Sequence, residues 1–126
     1  MFVRYNPNPY GKRGNDCVVR AITKAENSDW FTIYWRLALQ GALLGDMPSI
    51  DSIWDNYLRD LGYKRFVVPN ECPRCYTLRD FCREYSQGTY LVKMPSHIAT
   101  VIDGNYYDTW DSGDETPLYY FRKEEY

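Results

Sequence analysis

The sequence predicts an α+β fold in which N-terminal helices pack on a C-terminal antiparallel β-sheet. Apolar residues recur at three- and four-residue spacing through the first two thirds of the chain, which is typical of amphipathic helices. From Thr89 onward, short apolar segments separated by turn residues indicate strands instead. Because 126 residues is an ordinary length for one domain, we expect a single domain over residues 1–126.

Capping residues and glycines indicate where the helices begin and end. Asn15 or Asp16 can cap a first helix near Cys17, and Gly62 can end the third. The segment from Thr77 resembles a capping box with Asp in place of Glu. The four helices are therefore expected to start near Cys17, Ser28, Ser49 and Thr77.

The strands are predicted from alternating and apolar segments bounded by turn signals. They are expected over 64–68, 90–93, 97–102, 106–110 and 118–122. Residues 1–14 contain two prolines and two glycines, which predicts an irregular lead-in rather than a regular element.

Composition excludes several classes of function. The net charge of -2 argues against nucleic acid as the main ligand, because phosphate binding requires a surplus of basic residues. No apolar run is long enough to span a membrane. The N-terminal segment lacks the apolar centre of a signal peptide, so we expect a cytoplasmic protein with reduced cysteines.

Cys17 is the candidate nucleophile. The free N–H groups and the dipole of a helix N-terminus lower the pKa of a thiol, and the same groups can bind an oxyanion. Cysteine is among the most frequently buried residue types. However, Gly14-Asn15-Asp16 places Cys17 at a junction between loop and helix, so we expect a reactive thiol rather than a core residue.

His97 is the only histidine, so any histidine-dependent chemistry must use it. Its strand ends at Asp103-Gly104, which is typical of a two-residue hairpin turn. With that turn, His97 and Asp108 share a face as diagonal neighbours about 7–8 Å apart at the backbone. A three-residue turn would place Asp111 opposite His97, so Asp111 stays open as the alternative acid.

These residues carry a resemblance to papain-like cysteine peptidases. Cys at a helix start, His on a strand and Asp on the next strand follow the order of that superfamily. Asp108-Thr109-Trp110 is similar to its Asn-Ser-Trp motif, which holds the third triad residue and a shielding Trp, and bacterial members place Asp at the first position. The amino-acid sequence also resembles those of small papain-like proteins of bacteria and their phages.

The resemblance implies a papain-like fold and a catalytic triad of Cys17, His97 and Asp108. His97 would take the proton of Cys17, Asp108 would orient the imidazolium, and the thiolate would attack a carbonyl to form a thioester. The implied function is a cysteine-dependent hydrolase, a peptidase or related amidase, acting on a peptide or protein without a cofactor.

The oxyanion donor is the point at which the chain departs from the family. Papain-type enzymes place a Gln shortly before the Cys, and this chain has Gly11 there. A side-chain amide could come from another residue, and Trp110 is expected beside the substrate. The departure leaves a second function open, a papain-fold binding protein with little or no catalysis, such as a phage protein that engages a host component. The candidate amides are Asn15, Asn8 and Asn6.

Three further cysteines are not expected to bind a metal. Cys72-Pro-Arg-Cys75 has the spacing of a pair of zinc ligands. Cys82 falls on the apolar stripe of the fourth helix and is predicted to lie in the core. Because two thiols alone make a poor structural zinc site, we interpret Cys72 and Cys75 as parts of a loop turn.

Overall fold

The computed structural model describes residues 1–68 and 76–123. These residues form four helices and a six-stranded sheet, which confirms the α+β class. Within these ranges the elements are β1 (Phe2–Arg4), α1 (Cys17–Ala25), α2 (Trp30–Leu44), α3 (Asp51–Asp60), β2 (Tyr63–Val67), α4 (Leu78–Glu84), β3 (Thr89–Met94), β4 (His97–Ile102), β5 (Asn105–Asp108) and β6 (Tyr119–Lys123).

The sheet is mixed, so the expectation of an antiparallel C-terminal sheet was wrong at the pairing of β1 with β5. Its strand order is β1-β5-β4-β3-β6-β2, and β1 pairs with β5 in parallel while the other pairs are antiparallel. The predicted strand at 64–68 is present as β2 and joins the same sheet, and β1 adds a strand that was not predicted. β1 lies where an irregular lead-in was predicted, because three residues are too few to show an alternating pattern.

Helices cover both faces of the sheet. The first core cluster joins α1, α2 and α3 to one face through residues such as Ile22, Leu58 and Phe121. The second joins α4 to the opposite face, where Phe81 packs with Val101 among others. Neighbouring residues on β3 and β4 contribute to different clusters because side chains alternate along a strand.

The hairpin between β4 and β5 has the predicted two-residue turn. Asp103 and Gly104 both adopt positive φ, 50° and 81°, which is the requirement of a type I′ turn. Ile102 faces Asn105 directly across the turn, as the expected register requires. The turn therefore places His97 and Asp108 on one face of the hairpin.

Helix starts match the prediction in part. Thr77 and Asp80 form a complete capping box at α4, with the Thr77 hydroxyl accepting from the Asp80 N–H and the Asp80 carboxylate accepting from Thr77. Asp16 occupies the cap position of α1 but makes no capping bond. The second and third helices are capped one residue later than expected, at Asp29 and Ile50. Within the two described ranges, no helix has the length and apolar character needed to cross a membrane.

Candidate active site

The structure brings Cys17, His97 and Asp108 together at one end of the sheet. Cys17 is the first residue of α1, His97 the first of β4 and Asp108 the last of β5. α1 packs against β4, and the Thr100 hydroxyl of β4 donates a 2.5 Å hydrogen bond to the Ala21 carbonyl of α1. This contact holds the helix that carries the thiol against the strand that carries the imidazole.

The His97 ring contacts the buried acid and is coupled electrostatically to the thiol. Its Nε2 lies 2.5 Å from the Asp108 Oδ2. The Cys17 side chain is the second group that acts on the ring, because the interaction between them lowers the pKa of the thiol and raises that of the imidazole. Because Asp108 occupies Nε2, Nδ1 is the ring nitrogen that remains for proton exchange with the sulfur. A proton can therefore pass between Cys17 and His97 while Asp108 holds the ring in place.

The imidazole favours its charged form. Burial lowers the pKa of His97, but hydrogen bonds to Asp108 and Cys17 and the negative charges of both groups outweigh burial and raise it to about 9. His97 is consequently an imidazolium at neutral pH, and its positive charge faces the sulfur of Cys17.

The thiol favours its ionised form for complementary reasons. Burial raises the pKa of Cys17, but the hydrogen bond and charge of His97 oppose that effect. The Ile98 backbone hydrogen bond and the positive charge of Arg20 act in the same direction, so the pKa of the thiol lies below its ordinary value. The pair thus resembles a thiolate and an imidazolium, the reactive form of a cysteine nucleophile.

Asp108 is completely buried and each of its oxygens accepts two hydrogen bonds. Oδ2 accepts from His97 and, at 2.7 Å, from the Ser112 hydroxyl. Oδ1 accepts from the Thr109 N–H at 2.8 Å and from Nη2 of Arg20 at 3.2 Å. Burial raises the pKa of Asp108, but the donors and the charge of His97 bring it below its usual range. The carboxylate is therefore ionised and fully satisfied.

Arg20 is a member of the site that the sequence did not reveal. Only 4% of the residue is exposed, and its guanidinium bridges Asp16 at 2.8 Å and Asp108 at 3.2 Å. The other oxygen of Asp16 accepts from the indole N–H of Trp30 at 2.9 Å. These contacts explain why Asp16 does not cap α1. The spacing of Asp16 and Arg20, four residues on one helix face, is the signal that could have indicated the pair.

A cavity of about 460 Å³ opens onto the sulfur and the imidazole. Trp110 forms part of its wall and stacks at a tilt on His97, with ring centroids 4.9 Å apart. The lining includes Cys17, Arg20 and Ser96. Trp110, which was predicted to lie beside the substrate, therefore lines the same cavity as the reactive pair.

Of the three asparagines predicted as oxyanion donors, only Asn15 lines this cavity. Asn6 uses its amide to donate to the Lys12 carbonyl, and Asn8 accepts from backbone N–H groups of the same loop. Gly11, in place of the expected Gln, is exposed. Asn15 is thus the candidate side chain that could reach an oxyanion beside the Cys17 N–H, which begins the helix and lies before its first backbone bond.

The alternative acid, Asp111, lies elsewhere. Its carboxylate accepts from Arg79 at 3.1 Å and from the Tyr106 hydroxyl, and it does not contact His97 among the described contacts. The two-residue turn explains the difference, because it brings Asp108 rather than Asp111 to the imidazole.

The remaining cysteines are not part of this site. Cys82 is buried in the second core cluster, and burial raises the pKa of its thiol to about 11. Cys72 and Cys75 lie outside the described residues, so their predicted role stays a prediction. Within residues 1–68 and 76–123, no three His, Cys, Asp or Glu side chains are grouped as metal ligands would be.

A larger cavity, of about 730 Å³, lies at the far end of α1. Two of its charged groups pair with each other, since Glu26 accepts from Lys123 at 2.8 Å, and Glu26 also accepts from the Tyr63 hydroxyl at 2.6 Å. It contains neither the thiol nor the imidazole, so the smaller cavity is the candidate active site.

The comparisons with known proteins add no relative. No family model matches the chain, and neither the curated proteins nor the solved structures contain a match. The functional argument therefore depends on the geometry of the site.

The buried ion pair of Arg20 can be tested against an exposed one of the same spacing. Asp16–Arg20 is buried, whereas Asp55–Arg59 is an i,i+4 pair whose arginine side chain is 53% exposed. We expect Arg20→Met to lower the free energy of unfolding by about 3–5 kcal/mol, because two buried carboxylates lose their cation. Arg59→Met should cost less than about 1 kcal/mol. Urea unfolding measures both, and equal costs would contradict the role of Arg20.

The single histidine permits a direct test of the His97 environment. We expect its NMR resonances in the folded protein to titrate with a pKa of about 9, and those of the urea-unfolded chain near 6.5. Since folding raises this pKa, the contribution of charged His97 to stability is complete below pH ~6.5 and is lost as the pH rises through about 9. Asp108→Asn should lower the folded-state pKa. A wild-type value near 6.5 would show that the ring is not held as described.

Proposed function

We propose that the chain is a papain-like cysteine hydrolase that cleaves a peptide-like amide through a thioester. The observation that carries the proposal is the position of the His97 ring between the buried Asp108 carboxylate and the Cys17 thiol. An acid beside an imidazole that is in turn beside a thiol supplies the components of nucleophilic acyl transfer. We include a peptide or protein substrate and a cytoplasmic location in the proposal.

The chemistry follows from the charges of the pair. The Cys17 thiolate attacks the carbonyl carbon, and the carbonyl oxygen becomes an oxyanion beside the Cys17 N–H and Asn15. The His97 imidazolium then donates its proton to the leaving amine, and a thioester remains on the sulfur. Water gives a proton to the neutral His97 and attacks the thioester, which releases the carboxylic acid and regenerates the thiolate–imidazolium pair.

The papain-like fold is also a proposal, supported by the placement of the three residues. The helix that begins with Cys17 packs on the strand that begins with His97, and the neighbouring antiparallel strand ends with Asp108. Trp110 covers the His97 ring, as the shielding Trp of papain-type enzymes does. The chain order of nucleophile, base and acid matches the order of that superfamily.

A papain-fold binding protein is the competing proposal, and Gly11 is the observation that favours it. With Gln absent, only Asn15 lines the cavity as a side-chain amide among the candidates. A binding protein, such as one that a phage directs at a host component, would need the cavity but not a reactive thiol. The reactivity of Cys17 therefore separates the two functions.

Alkylation by iodoacetamide tests the reactive pair. We expect Cys17 to be alkylated rapidly at pH 6 to 7, because His97 lowers the pKa of the thiol. His97→Ala should slow the reaction at that pH by roughly 100-fold, since the thiol then ionises only near its ordinary pKa. Peptide mapping by mass spectrometry identifies the labelled cysteine and measures the rate at each pH.

Cys82 supplies the internal control, because it is buried with a raised thiol pKa and should stay unlabelled in the folded protein. His97→Gln is a second variant of similar size in case His97→Ala unfolds. If Cys17 reacts no faster than a free cysteine in solution, and neither variant changes its rate, the hydrolase proposal fails and the binding protein is favoured.

Asn15 can be tested by comparing two reactions of the same thiol. Acylation by p-nitrophenyl acetate passes through an oxyanion, whereas alkylation by iodoacetamide does not. We therefore expect Asn15→Ala to slow acylation by about 100-fold and to leave alkylation of Cys17 within about twofold of wild type.

Asn8→Ala is the matched control, because Asn8 lies in the same lead-in segment but does not line the cavity. It should change neither rate. An equal loss of both reactions in Asn15→Ala would show that Asn15 acts on the thiol or the fold, and the assignment as oxyanion donor would be wrong.

A further inference from the structure

The outward face of α2 is unusually apolar. Phe31, Trp35, Leu39 and Leu43 follow one another at four-residue spacing and are 43%, 65%, 59% and 73% exposed. We call these four residues the α2 stripe. Residues at this spacing lie on one face of a helix, so the four side chains form a continuous row in contact with solvent.

The α2 stripe is opposite the face that packs in the core. The buried residues of α2 are Ile33, Leu37 and Gly41. At 100° per residue, this row and the α2 stripe lie about 180° apart around the helix. α2 is therefore apolar on two opposite sides, and a helix of this kind is normally covered on both. The core covers only one of them.

The exposed apolar area is at the upper end of what a monomer shows and matches the apolar part of a dimer interface. With about 200 Å² for each large side chain, the exposed fractions of the four stripe residues give roughly 480 Å². The largest apolar patch on a typical monomer is about 300–600 Å². A stable dimer buries about 800 Å² on each partner, and about 65% of a homodimer interface, or roughly 520 Å², is apolar.

We propose that a second copy of this chain covers the α2 stripe, with two α2 helices antiparallel about a two-fold axis at Leu39. Trp35 and Leu43 lie four positions before and after Leu39 on α2. A two-fold axis there brings Trp35 against Leu43 of the other copy, and Leu39 against its own equivalent. The apolar row is thus complementary to itself, as an isologous contact requires.

Charge favours a second copy over other occupants. Arg36 is the only charged residue of α2, so two copies can approach without strong repulsion at the helix. A charged partner would find no complementary charge on this helix. A lipid surface is also disfavoured, because helices that lie on membranes carry several Lys or Arg residues beside their apolar face. The proposal does not depend on the proposed catalytic function.

Sedimentation equilibrium of the full chain tests the proposal. Wild type should sediment as a dimer, at twice the monomer mass of 15.0 kDa. Leu39→Glu places two negative charges together at the axis and Leu39→Lys places two positive charges there. Each variant alone should raise the dimer dissociation constant by roughly 100-fold or more. An equal mixture of the two should recover the dimer, because Glu and Lys then face each other.

Val67→Glu is the matched control, since Val67 is 73% exposed, lies outside the α2 stripe and gains the same charge. It should remain dimeric. Circular dichroism should show that both Leu39 variants keep their helix content.

A wild-type monomer at every concentration overturns the proposal, and so does a dimer that Leu39→Glu leaves intact. A mixture of the variants that stays monomeric overturns the two-fold contact at Leu39. Wild type that is monomeric but binds phosphatidylcholine vesicles would assign the stripe to a lipid surface instead.

Discussion

The buried charge of Asp108 is the constraint on which the rest of the site depends. A carboxylate without access to water is stable only if hydrogen bonds and positive charge replace its hydration. His97 supplies a donor from β4, Arg20 from α1, and Thr109 and Ser112 from the segment after β5. The four donors come from three different parts of the fold, so satisfying one side chain also fixes the relative positions of α1, β4 and β5.

The parts of the site that the sequence predicts are those that local rules determine. A two-residue turn with Asp103-Gly104 sets the register of β4 and β5, and the register in turn puts His97 and Asp108 on one face. A loop-to-helix junction likewise predicts Cys17 at the start of α1. The α+β class follows in the same way, because the change from helical to strand patterning near Thr89 is visible along the chain.

What the sequence could not predict depends on contacts between distant residues. Arg20 and Asp108 are 88 positions apart in the sequence, and neither residue type indicates which residue it will pair with. Asp16 has the side chain of a helix cap, but Arg20 and Trp30 take its oxygens instead. The formation of β1 also depends on a distant contact. Its three residues form a strand because they pair with the edge of β5. In each case tertiary packing selects one of several side-chain partners or backbone conformations that local sequence rules do not distinguish.

The four hydrogen-bond donors around Asp108 explain why Asp rather than Asn suits this position. The Asp108 carboxylate accepts all four of its hydrogen bonds, two at each oxygen. An amide would present its NH₂ group either to Arg20 and the Thr109 N–H, which can only donate, or to Ser112 and His97. In the second orientation His97 would have to accept at Nε2 and carry its proton on Nδ1, the nitrogen that remains for proton exchange with Cys17. A neutral ring in that tautomer cannot receive the thiol proton, so the acid at position 108 and the buried Arg20 that balances it belong to one arrangement.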